Sequence, residues 1–199
     1  MKSYARQLLI RAVFIEGGLL GIASIGAYFQ ESPWWHPFTP TLAYCGIGIG
    51  AGIGLLTMNY LAVEYGSRYL PFFRVLKQLI GEDVAPLFKN IHLGVVVVIA
   101  IISGIAEEAF FRGLLQPLTG LWLASFIFGL AHIWRKMALR YGLYAAVIGL
   151  YFGGLYALTG NLWVPVLAHS VNNLVAILYY RQLPALKSAQ GIGSEKVEV

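Results

Sequence analysis

The sequence has little of what a soluble domain relies on. Charged residues make up 12% of its 199 positions against 58% hydrophobic ones, and the mean hydropathy is +0.70, too apolar for an ordinary soluble fold. The single cysteine, Cys45, excludes an intrachain disulfide and a zinc site built on thiolates, and leaves the redox compartment unread. The glycines of 46–54 lack the lysine of a P-loop, and H-E-x-x-H does not occur. The net charge of +5 comes from basic residues scattered over short connections, not gathered on one soluble face, so no nucleic-acid partner is expected.

What is present is a succession of apolar runs, and the chain reads as an all-α polytopic transmembrane helix bundle of about six spans. Lys2, Arg6 and Arg11 precede a first span over 12–29; it is long for a signal peptide and no A-x-A site follows. Glu16, about one turn inside that span, reads as a carboxylate that reaches the interface or a neighbouring helix. Pro33, Pro37, Pro40 and the pair Trp34–Trp35 mark an interfacial loop, where His36 is also placed. The second span, 41–61, carries Gly46, Gly50 and Gly54 and again Gly48 and Gly52, two small-residue ridges that allow close helix approach. The mixed segment 64–90 is the longest connection, with an amphipathic surface helix expected over 69–80. Spans three to six follow at 91–115, from 118 or 121 to 133, at 141–158 and at 162–180. Residues 1–182 thus form one transmembrane helical domain, and 183–199 a polar tail expected to be disordered.

Charge supports this layout independently of hydropathy. Thirteen of the fourteen lysines and arginines precede span one or follow spans two, four and six, whereas 31–40, 116–120 and 159–161 contain none. The positive-inside rule puts both termini in the cytoplasm of a multi-pass membrane protein, the cell membrane if the source is prokaryotic. The fourteenth basic residue is Arg112.

Arg112 lies with Glu107 and Glu108 in S-G-I-A-E-E-A-F-F-R-G-L-L, residues 103–115, inside an apolar run. Ionised groups at that depth are costly unless paired or lining a cavity. On a helix Glu108 and Arg112 are i, i+4 neighbours able to form an ion pair, while Glu107 points about 100° away. Span four contributes Phe128 and His132, and span six His169 and Asn173, each again at i, i+4, with Asn172 on an adjoining face. A carboxylate, two imidazoles and an amide can therefore converge in one bundle. That set suits hydrolysis: Glu107 and His132 to hold and deprotonate a water, His169 and Asn173 to donate to the tetrahedral intermediate. A second arrangement has His132, His169 and a glutamate ligating zinc. Taken singly, each residue also fits plain packing, as a helix-to-helix hydrogen bonder or a register-fixing pair.

E-E-A-F-F-R at 107–112, F-G-L-A-H at 128–132 and H-S-V-N-N at 169–173 resemble, in order, the E-E-x-x-x-R, F-x-x-x-H and H-x-x-x-N motifs of the CPBP family of intramembrane proteases. That family includes the type II CAAX prenyl endopeptidases and bacteriocin-processing enzymes, and the resemblance covers roughly 95–178. It implies an endopeptidase of glutamic type without a metal cofactor. Glu107 and His132 would be its water-activating residues, His169 and Asn173 its oxyanion site, and Glu108, Arg112 and Phe128 would support them. The family also has members proposed as immunity factors or scaffolds, and midplane carboxylate and histidines are compatible with proton-coupled transport.

The expected partners are the bilayer and a protein or peptide substrate, lipid-anchored or an exported precursor. At about 1.5 Å per residue, Glu107 lies about 24 Å from Ile91, His169 about 10 Å from Leu162 and His132 about 16 Å from Leu121. Against a core of about 30 Å, this puts the site in the outer half to the middle of the membrane and points toward the exported precursor.

Overall fold

Helix boundaries fall where the local chemistry puts them. The computed structural model describes residues 2–30, 33–36 and 38–182; the tail expected at 183–199 lies outside the described residues. Helix α1 (Lys2–Tyr28) is followed by α2 (Leu42–Tyr60), whose N-cap Thr41 accepts the Tyr44 amide at 3.2 Å. A π turn at Leu61–Tyr65 leads through a short 3₁₀ turn to α3 (Pro71–Leu79), a second π turn at Ile80–Val84 and α4 (Ala85–Phe88). Proline at the first positions of α3 and α4 starts each where a backbone N–H has no partner anyway. The surface helix expected over 69–80 is α3.

Next come α5 (Leu93–Glu108), a seven-residue π segment at Ala109–Leu115, and α6 (Gln116–Ala131). These run together from Leu93 to Ala131, 39 residues, but the run contains a reversal. Gly120 has φ 83° and ψ 166°, a conformation open essentially to glycine alone. Contacts with α7 (Leu139–Thr159) give the directions. Arg112 and Gln116 reach the carbonyls of Gly149 and Gly153, so this arm is parallel to α7. After Gly120 the order inverts, with Leu121 against Gly153, Ser125 against Gly149 and Gly129 against Gly142. Spans three and four are thus the arms 93–119 and 121–131. Helix α7 stops at Gly160, in the left-handed region at φ 60°, and α8 (Trp163–Tyr180) ends the bundle.

Four stretches meet length and hydropathy requirements for a membrane span, Tyr4–Tyr28, Leu42–Arg68, Leu93–Ala131 and Lys136–Thr159. Splitting the third at Gly120 and adding α8, whose apolar character is diluted by His169, Ser170, Asn172 and Asn173, gives six arms. Packing registers make their directions alternate: α2 runs parallel to α8, α5 antiparallel to α8, and α7 antiparallel to α2. The chain is an integral membrane protein with an all-α bundle.

One glycine ridge of α2, not two, is used for packing. Gly48 and Gly52 lie against Val164, Leu167, Ala168 and Val171 of α8, whereas Gly46 and Gly50 face open space. The spacing is the same on both ridges, but α8 covers only one side. At the N-terminal end of these helices the Asn161 side chain exchanges hydrogen bonds with both backbone groups of Thr39, which ties the two connections together.

Candidate functional site

Glu107 and Glu108, consecutive at the end of α5, diverge as helical geometry predicts, and each meets a different histidine. Glu108 is completely buried. Its Oε1 accepts from Arg112 Nη1 at 3.0 Å and lies 2.7 Å from His169 Nδ1. Arginine stays cationic in proteins and an ionised carboxylate only accepts, so His169 Nδ1 carries the proton and donates. The second guanidinium nitrogen donates to the Gly149 carbonyl at 2.9 Å. Three aromatic faces enclose the cation, with Phe128, Phe152 and Phe111 centroids at 4.6, 5.5 and 5.8 Å. The Phe152 ring also stacks on His169 at 4.7 Å, 13° from parallel.

Glu107 turns instead toward His132, the residue that caps the end of the 121–131 arm. Its Oε2 is 3.8 Å from His132 Nε2 and, though buried, has no hydrogen-bond partner among the described residues. The other ring nitrogen of His132, Nδ1, is 2.8 Å from the carbonyl of Phe128, four residues back. A carbonyl cannot donate, so Nδ1 is protonated, and in the neutral ring Nε2 presents a lone pair toward Glu107. Two acceptors then face each other, too far apart for a direct hydrogen bond. A water donating one proton to each would satisfy both.

Phe128 joins the two halves. Its ring lies under Arg112, 4.5 Å from the His132 ring and 6.2 Å from that of His169, and its carbonyl fixes the His132 tautomer. Asn173, one turn beyond His169, donates from Nδ2 to Ser103 Oγ at 3.1 Å. His132, His169, Asn173 and Phe128 line a single cavity of about 300 Å³. Residues 89–175 match the family model "Type II CAAX prenyl endopeptidase Rce1-like".

The matched segment contains all seven residues singled out above and leaves α1 to α4 outside it. The "Uncharacterized protein YpbD" of Bacillus subtilis (strain 168) is 33% identical over 89 residues, 45% of this chain and 47% of that protein. The chain therefore spans about half the length of that relative. No solved structure matches it.

The structure pairs Glu107 with His132 and Glu108 with both His169 and Arg112, while Phe128 and Asn173 line the same cavity as the two histidines. Among the described residues no three of His, Cys, Asp and Glu group closely enough to hold a metal ion. His36 and His92 stand apart; His92 caps α5 by accepting the Gly94 amide at 3.1 Å. Motif reading does not reach Gly149, Phe152, Tyr144 or Asn59. The i, i+4 and i+3 recurrence of Gly142, Ala145, Gly149, Phe152 and Gly153 marks the α7 face that packs here, and Asn59 is detectable as an amide in an apolar run.

The structure adds a direction to the depth expected from residue counting. Gly149 and His169 sit near the middle of α7 and α8, so the site is at mid-bundle, as the spacing suggests. The cavity, however, is walled by Val63, Ile80, Val84 and Phe88 of the long connection and by Ala176, Ile177 and Tyr180 at the far end of α8. It extends toward the end that carries Arg68, Arg74, Lys77, Arg135 and Arg181, away from the charge-free loops. Counting residues from Leu121 gave a depth but no direction of access.

Proposed function

We propose that the chain is an intramembrane endopeptidase that hydrolyses a peptide bond near the membrane-anchored end of a protein substrate. The observation that carries this reading is the pair of facing acceptors, Glu107 Oε2 and His132 Nε2, 3.8 Å apart beside an apolar cavity. A water donating to both keeps a lone pair for an incoming carbonyl carbon. As the oxygen–carbon bond forms, the water's proton passes to Glu107. His169, doubly protonated and balanced by Glu108, donates from Nε2 to the oxyanion together with the second N–H of Asn173. When the carbon–nitrogen bond breaks, Glu107 returns the proton to the departing amine, leaving a new carboxylate and a new N-terminus.

Glu108 and Arg112 hold His169 and the α5–α7 contact, and Phe128 sets the His132 tautomer. The activity proposed is metal-free, because Glu108 and His169 are already committed to each other, which leaves Glu107 and His132 as a two-donor site. Zinc would require His169 to abandon Glu108, and cleavage that is lost on dialysis against a chelator and restored by zinc would favour that arrangement. For the substrate, the direction of the cavity favours a lipid-anchored protein presented from the side of the basic connections, which the positive-inside rule makes cytoplasmic. Labelling of a cysteine placed in 116–120 from outside intact cells tests this orientation, and protection of that loop would reverse it.

The decisive test compares protein termini in cells carrying the wild type and Glu107→Ala. A defined set of termini should vanish in the variant while the protein still inserts and accumulates. Identical termini in both strains, with any cellular phenotype retained, would instead indicate a scaffold or immunity role.

A further inference from the structure

Asn173 is the last amide in a chain of side chains that begins two helices away. Tyr144 of α7 donates from its hydroxyl to Asn59 Oδ1. Asn59 of α2 donates to Asn172 Oδ1 at 2.8 Å, Asn172 donates to Asn173 Oδ1 at 3.4 Å, and Asn173 donates to Ser103 Oγ at 3.1 Å. Ser103 in turn donates to the Ala100 carbonyl at 3.3 Å. Asn59, Ser103, Tyr144, Asn172 and Asn173 all line the cavity of the candidate site. Two of them, Asn59 and Tyr144, belong to none of the three sequence motifs, and Asn59 lies outside the matched segment.

The direction of this chain is fixed at its end. A primary amide rotated by 180° exchanges an acceptor for two donors, and an isolated asparagine in an apolar cavity has little reason to prefer either orientation. Here the Ser103 proton is committed to Ala100, so the hydroxyl accepts, Asn173 must present Nδ2 to it, and the choice propagates back through Asn172 and Asn59 to a tyrosine that donates. Reversing one amide alone sets oxygen against oxygen at one of its contacts. Resting on the protease reading above, we propose that Asn59 and Tyr144 are positioning residues for hydrolysis, holding the Asn173 amide with an N–H, not its oxygen, turned to the oxyanion. The role is exerted through Asn173, and neither residue need touch the reacting atoms. Preorganisation of this kind matters because an oxyanion donor helps only if it is aligned before charge develops.

The test uses full-length protein in nanodiscs and, as substrate, a peptide spanning the cleavage site found by the comparison of termini. Asn59→Leu and Tyr144→Phe should each lower kcat, by about 10- to 100-fold for the first, with KM nearly unchanged. In an Asn173→Ala background, Asn59→Leu should change kcat by less than about twofold, because its effect passes through the amide already removed. Independently of catalysis, Tyr144→Phe should shift the side-chain amide resonances of Asn173 in protein labelled with 15N-asparagine. Full kcat in Asn59→Leu, or losses that multiply with Asn173→Ala, would overturn the relay. If Glu107→Ala leaves cleavage unchanged, the reaction itself fails, and the Asn173 resonances then decide the relay alone: shifted they sustain it, unmoved they refute it.

Discussion

Replacing Arg112 by methionine separates the electrostatic part of the buried cluster from its volume. Arg112 is 1% exposed and Glu108 0%, so the variant leaves a carboxylate in an apolar interior with His169 as its remaining partner. It also deprives the Gly149 carbonyl of its donor and removes the cation from between three phenylalanine faces. Removing one member of a buried ion pair costs about 3–5 kcal/mol, and at about 2–4 °C per kcal/mol for a chain of this size the apparent Tm should fall by about 6–20 °C. The double variant Glu108→Gln/Arg112→Met removes the buried carboxylate as well, lets His169 become neutral and keeps an oxygen for its Nδ1, so it should recover about half of that loss. Thermal unfolding of both variants in one detergent at one scan rate reads the difference. A double variant less stable than Arg112→Met would refute the argument, because it would mean that shape and dispersion, not charge compensation, hold the cluster.

Three further substitutions probe packing and access. A Cβ on Gly52 would lie 3.0 Å from the Ala168 carbonyl, whereas one on Gly50 meets nothing within 4 Å. Gly52→Ala should therefore destabilise by about 1–3 kcal/mol, and Gly50→Ala should be neutral or stabilise by up to about 1 kcal/mol, measured by the same unfolding assay. Asp83 accepts from Trp134 Nε1 at 3.0 Å and from Arg135 Nε and Nη2 at 2.8 and 2.7 Å, tying the cavity wall to the connection after His132. Because this pair is partly exposed, Asp83→Ala should change stability by less than about 1 kcal/mol yet speed trypsin cleavage at Arg135 or Lys136.

Much of the site was legible because helices make it local. The i, i+4 spacing of Glu108 with Arg112, and of Phe128 with His132, places each pair on one face whatever the tertiary arrangement, and both contacts form. The divergence of Glu107 from Glu108 follows from the same geometry. Which glutamate meets which histidine does not, since it depends on how α8 and the 121–131 arm lie against α5. Asn59 and Tyr144 are invisible for the same reason: each belongs to a helix whose own spacing carries no motif, and only the meeting of α2, α7 and α8 gives them partners. In α2 the spacing offers two equal glycine ridges, and the position of α8 decides between them. The charge-free loops mark the layout of six arms, but the reversal at Gly120 shows only as a glycine in a short polar gap.

The consecutive glutamates have a consequence for how such a protein can change. Glu108 is built into the architecture, joined to Arg112, His169 and, through Arg112, to α7, whereas Glu107 meets His132 at 3.8 Å, outside hydrogen-bond range. On the proposed reaction, adjacent codons thus specify a structural residue and a chemical one. A lineage could replace the first glutamate and retain an intact bundle, its cavity and its capacity to hold a membrane-anchored chain, becoming a receptor for what its ancestor cut. The second glutamate has no such freedom.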